Sequence, residues 1–315
     1  MRQNARNACT WIALVFSGVL LLAIDGAAAL AQETPAYELA LVDLQGKKRV
    51  LGSLPASVFA PRVSPDGRQV AFELADTATA QAPAAVRLWV ADIDHPDQRR
   101  SLPLVGTGRN WAPVWSTDGL RLVFLVSGTG PDALYWRRAD GSGDAEHLVD
   151  GRSAEGMYAA DTQLVFITRT GNRDYGIWLF DMKTRTAMLL VDRPDSEQHS
   201  SRLSPDGRWI AYASNETGRQ EVWLEPLPQT GKRFRITRNG GRHPLWSPDG
   251  TKLYFDQDGR MFRVDVFLGA ELPKASEPKT LPISGFQQGD LRRQFDLMPD
   301  GKRFLMLFPR QPEPR

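Results

Sequence analysis

Residues 201–227 read SRLSPDGRWIAYASNETGRQEVWLEPL and decide the fold. The segment predicts a short strand, a Ser-Pro-Asp-Gly turn, a second strand and, after a polar loop with glycine, a third strand. In the turn, Pro205 presets φ, Asp206 accepts hydrogen bonds from local backbone N–H groups, and Gly207 takes a positive φ. A turn of this length joins antiparallel neighbours, so the segment predicts an antiparallel β module.

The strand that follows the turn, residues 208–214 (RWIAYAS), is apolar on both faces. Trp209 and Ala211 lie on one face, whereas Ile210 and Tyr212 lie on the other. A strand with two apolar faces is covered on both sides. The module is therefore expected to pack between two other sheets.

The Ser-Pro-Asp-Gly turn recurs along the chain. Consecutive copies begin 43 to 52 residues apart, and each is followed by an apolar strand. The copies are SPDG at 64–67, STDG at 116–119, a degenerate AADT at 159–162, SPDG at 204–207, SPDG at 247–250 and MPDG at 298–301. Six units of this length, each with four short strands, predict an all-β fold: a six-bladed β-propeller of four-stranded antiparallel blades.

The last repeat is incomplete, since residues 302–308 are followed only by PRQPEPR. Residues 37–44 and 47–51 read as two strands that precede the first complete repeat. We expect them to complete the sixth blade, because a closed ring has no open end. This predicts a propeller domain at 32–310, followed by a short tail at 311–315.

Residues 1–31 have the features of a secretory signal peptide. A positively charged start is followed by a 14-residue apolar run at 11–24 and by Ala-Leu-Ala at 29–31. This pattern predicts cleavage before Gln32, and the run is short for a transmembrane helix. The predicted location is the bacterial periplasm. An uncleaved N-terminal anchor is the alternative.

The composition is that of an ordinary globular protein. The 315 residues are 42% hydrophobic and 24% charged, with a formal net charge of +2. This balance gives no reason to expect a nucleic-acid partner. The only cysteine, Cys9, precedes the predicted cleavage site, so the exported chain is expected to be stabilised by its core without disulfides.

Residues 230–250, TGKRFRITRNGGRHPLWSPDG, resemble the TolB-type propeller repeat, which is also described as PD40 or WD40-like. The resemblance extends over roughly residues 37–308. It implies a TolB-like propeller, and TolB itself carries an α/β domain before its propeller. Because about five residues separate the predicted cleavage site from the first strand, we expect the propeller alone, without that α/β domain.

Two of the four histidines, His199 and His243, fall just before the inner strands of the fourth and fifth blades. This position predicts that they are neighbours near one mouth of the central channel. With Arg202 and Arg242 they form a candidate site for an anion or a carboxylate. The alternative is that these polar residues only line a hydrated channel.

The connections between blades open on the same mouth. They add Arg109, Trp111 and Arg152 as candidate binding residues, and the longest loop inside a blade, residues 75–85, opens on the same side. Loops on a rigid scaffold commonly carry function. This face is therefore the predicted binding surface.

No catalytic motif of the G-x-S-x-G or H-E-x-x-H type is present, and no cofactor is expected. A lactonase-type metal site needs several Asp, Glu or Asn side chains on the inner strands, where only Asn110 and Asp296 are suitable. The sequence therefore predicts no metal and an exported, non-catalytic, monomeric scaffold that binds a protein or peptide, with an envelope or membrane-associated complex as one setting. The alternatives are a metal-dependent hydrolase that uses the channel and a small-ligand sensor.

Overall fold

The computed structural model describes residues 35–76, 85–128, 130–158, 162–169, 175–269, 273–289 and 292–310. Strands and turns account for the regular structure in these ranges, and no helix there is long and apolar enough to cross a membrane. The predicted signal peptide, the tail at 311–315, most of the degenerate turn at 159–162 and most of the loop at 75–85 lie outside the described residues.

The strands of the first half of the chain are β1 (Pro35–Asp43), β2 (Lys48–Pro55), β3 (Val58–Val63), β4 (Gln69–Ala75), β5 (Val86–Asp92), β6 (His95–Ser101), β7 (Arg109–Trp115), β8 (Arg121–Ser127), β9 (Ala133–Arg138), β10 (Glu146–Asp150), β11 (Ser153–Tyr158) and β12 (Gln163–Arg169). Those of the second half are β13 (Tyr175–Asp181), β14 (Thr186–Val191), β15 (Gln198–Leu203), β16 (Trp209–Ser214), β17 (Glu221–Pro226), β18 (Phe234–Arg235), β19 (Arg242–Trp246), β20 (Lys252–Gln257), β21 (Arg260–Leu268), β22 (Pro273–Ala275), β23 (Lys279–Ser284), β24 (Phe295–Leu297) and β25 (Arg303–Pro309).

These strands form six antiparallel sheets, which confirms the six-bladed propeller. The first four blades are β3–β6, β7–β10, β11–β14 and β15–β18, each in chain order from the inner strand outward. The fifth blade differs from the expected four strands because β21 is long. It pairs with β23 through its first residues and with β22 through its last, so this blade has five strands.

The sixth blade has the strand order β2-β1-β25-β24, so the ring is closed by the N-terminal strands as predicted. Strand β1 pairs with β25 from Tyr37 opposite Pro309 to Asp43 opposite Arg303. The centre of β1 is buried on both faces. Leu39 packs in the core shared with the first blade, and Val42 packs in the core shared with the fifth.

All six residues of β16, in the segment at 201–227, are buried. Trp209 and Ala211 belong to a core that includes residues of the fifth blade. Ile210 and Tyr212 belong to a core that includes residues of the third blade. The two apolar faces read from the sequence therefore contact the two neighbouring blades.

The Ser-Pro-Asp-Gly turns are held by their own side chains. In the copy at 247–250, the Gly250 N–H donates to the Ser247 carbonyl at 2.9 Å. Asp249 Oδ1 accepts from Ser247 Oγ at 2.6 Å and from the Thr251 N–H at 3.0 Å. These hydrogen bonds, and the one from Ser247 most of all, hold the pKa of the Asp249 carboxyl well below its usual range.

Replacing this carboxylate tests the turn. Because the Asp249 pKa is depressed in the folded state, its contribution to stability is present above the unfolded value of about 3.9 and is lost as the pH falls. We expect Asp249→Asn to lower the melting temperature at neutral pH and to lose that difference in strong acid. Melting curves recorded from neutral pH to strong acid measure this difference. The control is Asp97→Asn, at an exposed aspartate of β6. Equal behaviour of the two variants contradicts the assignment.

Four inner strands contain the same backbone irregularity. Ala60, Ala112, Ser200 and His243 have φ values of 51°, 53°, 56° and 51°. Each lies four residues before the first residue of its turn, within a shift of the pairing register. A positive φ is uncommon outside glycine, and a bulge interrupts the alternation of side chains along a strand. Strict alternation therefore does not give the directions of the inner-strand side chains.

Candidate functional site

The inner strands enclose a channel with two mouths. The loop mouth is a cavity of about 420 Å³ at the connections between blades. Its lining includes Phe59, Trp111, Arg152, Tyr175, His199 and Arg292. The turn mouth, about 370 Å³, lies at the Ser-Pro-Asp-Gly turns, and its lining includes Arg62, Ser64, Pro65, Arg202, Arg293 and Asp296. A narrow neck of about 20 Å³ shares lining residues with both mouths.

Trp111 is the largest aromatic side chain of the loop mouth, and two arginines contact its ring. The Cζ atom of Arg292 lies 4.5 Å from the ring centroid, and that of Arg109 lies 5.6 Å from it. The indole N–H donates to Ser127 Oγ at 3.0 Å, which fixes the ring orientation. A guanidinium at this distance is attracted by the face of the ring. The cluster therefore presents an apolar surface beside positive charge.

Arg292 is positioned by a buried carboxylate of the first blade. Glu73, which is 1% exposed, forms an ion pair with Arg292. Its other oxygen accepts from the N–H of Ala112 at 2.9 Å, at the bulge of β7. Glu73 thus connects the first blade with the second blade and with the segment that precedes β24.

On the other side of the loop mouth, Arg152 pairs with Asp132, and its Cζ atom lies 5.6 Å from the Tyr175 ring centroid. Half of the Arg152 side chain is exposed, at 50%. Trp111 and Arg152, both candidates from the sequence, therefore line the same cavity, and Arg109 reaches it by its contact with Trp111.

His199 and His243 are neighbours, as predicted, with ring centroids 6.1 Å apart. His199 is only 4% exposed at the loop mouth, whereas His243 is 1% exposed and bonds to Asp256 Oδ1 at 2.8 Å. Burial, followed by the charges of His243 and Arg242, lowers the pKa of His199 to about 3. His199 is therefore uncharged at neutral pH, and it offers an anion no positive charge there.

Arg202 does not join this pair. It lines the neck and the turn mouth, where Nη1 donates to the carbonyls of Ser201, at 2.7 Å, and of Glu155. Arg242 is half-buried and lies opposite Asp256 in the pairing of β19 with β20. The four residues that the sequence grouped therefore do not form one site. His199 lines the loop mouth and Arg202 the turn mouth, whereas His243 and Arg242 belong to the wall of the channel.

Within the described residues, no group of three or more His, Cys, Asp or Glu side chains could hold a metal ion. Asn110, one of the two oxygen-bearing inner-strand residues, is 2% exposed and bonds to the backbone of Val105. Asp296 accepts from the Val63 N–H at 2.9 Å and pairs with Arg293. Both side chains therefore have structural partners.

A sequence profile of the TolB beta propeller domain, PD40, matches residues 28–224, which is more than half of the chain. The chain belongs to this family. The structure of a protein assigned as TolB from Agrobacterium tumefaciens has a TM-score of 0.67 at 17% identity, covering 88% of this chain and 99% of that one.

Two other solved structures share the fold of this TolB-type propeller. One is the tricorn protease, with a TM-score of 0.57 at 15% identity, covering 82% of this chain and 27% of that chain. The other is from a nidogen/laminin complex, with a TM-score of 0.54 at 11% identity and coverages of 73% and 89%. At these identities the similarity establishes the fold.

Several loop-mouth residues of this TolB-type propeller were not among the candidates from the sequence. The segment between β23 and β24 contributes Gln288, Gly289, Arg292 and Gln294. A Cβ atom on Gly289 would lie 2.2 Å from the Arg292 carbonyl oxygen, so the chain passes itself too closely there for a side chain. The sequence signal for this segment is the mostly polar run at residues 287–294, QQGDLRRQ, directly before an inner strand.

Proposed function

We propose that this propeller is an exported, non-catalytic scaffold that binds a protein or peptide at the loop mouth. One observation carries the proposal: Phe59, Trp111 and Tyr175 line the same cavity as Arg152 and Arg292. Tryptophan, tyrosine and arginine are the residues that most often dominate the binding energy of protein interfaces. A partner side chain seated among them would exchange water for aromatic and charged contacts.

The surroundings of the cavity favour a preorganised surface. Trp111 is fixed by Ser127, and Arg292 by the buried carboxylate of Glu73. Side chains that are already ordered lose less conformational entropy on binding. A chain with this fold is found in a nidogen/laminin complex, so the architecture is compatible with a protein partner.

Export rests on the signal-peptide features of residues 1–31, which support a periplasmic location. A protein in that compartment does not need a disulfide when apolar cores hold it together, as they do between these blades. The partner is then a component of the periplasm or of a membrane-associated complex that faces it.

Substitutions in the loop mouth test the proposal. We expect Trp111→Ala and Arg152→Ala each to reduce partner capture from periplasmic extract by about 30-fold, the effect of losing one interface hot spot. Capture after cross-linking is quantified by mass spectrometry. Arg208→Ala is the matched control, because Arg208 is 72% exposed beside the turn at 204–207, on the opposite face.

Melting curves verify that each variant is folded before capture is compared. If the capture of a protein falls equally with Arg208→Ala and with Arg152→Ala, that protein does not bind at the loop mouth. If no protein depends on Trp111 or Arg152, the surface is not the binding site and the proposal fails.

A further inference from the structure

We propose that the turn mouth is a second binding site, specific for a small oxyanion such as phosphate or a dicarboxylate and formed by Arg62, Arg202 and Arg293. This site lies at the other end of the channel from the loop mouth. It does not depend on the proposed protein partner, and its failure would leave that proposal unchanged.

The repeat places two of these arginines in equivalent positions. Arg62 and Arg202 each lie two residues before the first serine of a Ser-Pro-Asp-Gly turn, in the first and fourth blades. In a ring of six blades, the first and the fourth lie on opposite sides of the axis. Both side chains line the neck and the turn mouth, where Arg293 of the sixth-blade segment joins them.

Tryptophans of the next blades hold the backbone of these arginines. Trp115 Nε1 donates to the Arg62 carbonyl at 2.9 Å, and Trp246 Nε1 donates to the Arg202 carbonyl at 3.2 Å. Trp115 and Trp246 each directly precede the Ser of their own turn. The two opposing arginines are therefore presented by a rigid frame, which lowers the cost of ordering them around a ligand.

Neutral carbonyl groups satisfy much of the guanidinium hydrogen bonding. Arg62 Nη1 donates to the carbonyls of Pro61 at 2.8 Å and Arg293 at 2.9 Å, while Arg62 Nε is buried without a partner. Arg202 Nη1 likewise donates to two carbonyls. Carbonyl groups orient a guanidinium but do not neutralise its charge.

Two carboxylates offset part of the positive charge. Asp296 Oδ1 pairs with Arg293 at 2.9 Å, and Glu155 Oε2 lies 3.7 Å from Arg202 Nη1. A third carboxylate, Glu73, also attracts Arg62, but it is paired with Arg292, which lines the neck as well. The four arginines of the neck therefore share three carboxylates, and one positive charge is left in excess. An oxyanion supplies the missing negative charge.

The protonation energetics agree with this geometry. Burial, with a contribution from Arg202, lowers the pKa of Arg62 to about 10. Burial and the charges of Arg202 and Arg62 also hold the pKa of Arg293 well below its ordinary value. The same burial raises the pKa of the Glu155 carboxyl. A bound anion would stabilise the charged form of each arginine.

The dimensions restrict the ligand. The turn mouth, at about 370 Å³, admits a small anion, while the neck of about 20 Å³ blocks passage to the loop mouth. Guanidinium groups match the oxygen pairs of carboxylates and phosphates. The ligand is therefore a compact oxyanion that enters from the face of the Ser-Pro-Asp-Gly turns.

Isothermal titration calorimetry tests the site with inorganic phosphate and, separately, with succinate, at low ionic strength and neutral pH. We expect Arg202→Gln to weaken binding at least tenfold, as for loss of a charge-assisted hydrogen bond. Glu155→Gln is expected to strengthen binding severalfold by removing a competing carboxylate. Arg152→Gln, the same charge change at the loop mouth, should leave the affinity within about twofold.

Binding of phosphate alone, of succinate alone or of both supports the site and shows whether it takes phosphates, dicarboxylates or both. No measurable binding of either below about 10 mM overturns the proposal. Equal losses in Arg202→Gln and Arg152→Gln overturn it as well, because the anion is then not at the turn mouth. Melting curves show whether each variant is folded. If Arg202→Gln does not fold, the test rests on Glu155→Gln, and an unchanged affinity of that variant for the anion overturns the proposal.

Discussion

Deletion of residues 33–53 is expected to abolish cooperative folding, or to lower the melting temperature more than the loss of any single core side chain. It removes β1 and most of β2 from the sixth blade, and it exposes the full edge of β25. Four consecutive residues of β1 are lost from the cores on its two faces: Leu39, Ala40, Leu41 and Val42, each at most 3% exposed. Losing the larger of these core side chains, at about 2–5 kcal/mol each, removes a free energy comparable with the usual stability of a domain, about 5–15 kcal/mol.

Circular dichroism melting and urea denaturation measure the effect. A matched pair of substitutions, one at a buried and one at an exposed position, shows how much of it comes from lost side-chain burial. Leu41→Ala is expected to cost about 2–5 kcal/mol. Val50→Ala, at a 49% exposed position of the neighbouring β2, should stay within about 0.5 kcal/mol. An unchanged melting temperature after the deletion would show that the N-terminal strands do not close the ring.

The second large effect is expected from Glu221→Ala. The Glu221 side chain is completely buried at the start of β17. It accepts from Arg235 Nη2 at 2.8 Å, from the Gly240 N–H at 3.1 Å and from Thr237 Oγ1, and it pairs with Arg219 at 3.1 Å. Its removal leaves the buried Thr237 hydroxyl and the half-buried Gly240 N–H and Arg235 guanidinium without this acceptor, at a cost of about 2–4 kcal/mol in total.

Urea denaturation gives the change in free energy of unfolding. Glu38→Ala is the matched control, because the Glu38 pair with Lys48 is at the surface and is worth about 0–1 kcal/mol. Glu221→Gln should also destabilise, since an amide group places a donor among donors. If Glu221→Ala costs no more than Glu38→Ala, the buried network does not hold the connection from the fourth blade to the fifth.

The network around Glu221 explains part of the sequence motif at 230–250. Gly240 donates to Glu221, and the Gly241 N–H donates to the Gln220 carbonyl at 3.0 Å. The Asn-Gly-Gly stretch at 239–241 therefore brings backbone close to the start of β17. The motif identified the family from the sequence, but the buried carboxylate that holds it lies 19 residues before Gly240 and was not predicted.

The candidate site was only partly predictable. Trp111 and Arg152 were placed at one mouth because connections between blades meet on one face of a propeller. Arg292 was not found, because its role depends on Glu73, which is 219 residues away in sequence. Arg202 was grouped with His199, although the bulge at Ser200 lies between them and the two residues line different ends of the channel.

The sequence by itself determined the number of blades and the closure of the ring, because turns such as that at 204–207 are local. Serine, proline, aspartate and glycine fold such a turn by their own hydrogen bonds and backbone preferences, and its spacing counts the modules. The segment at 201–227 thereby identified a blade. Tertiary structure alone decided which side chains meet in the channel, since positive-φ bulges at Ser200 and His243 interrupt the strand alternation. Glu73 pairs with Arg292, and Arg62 and Arg202 line one mouth, only when the ring closes.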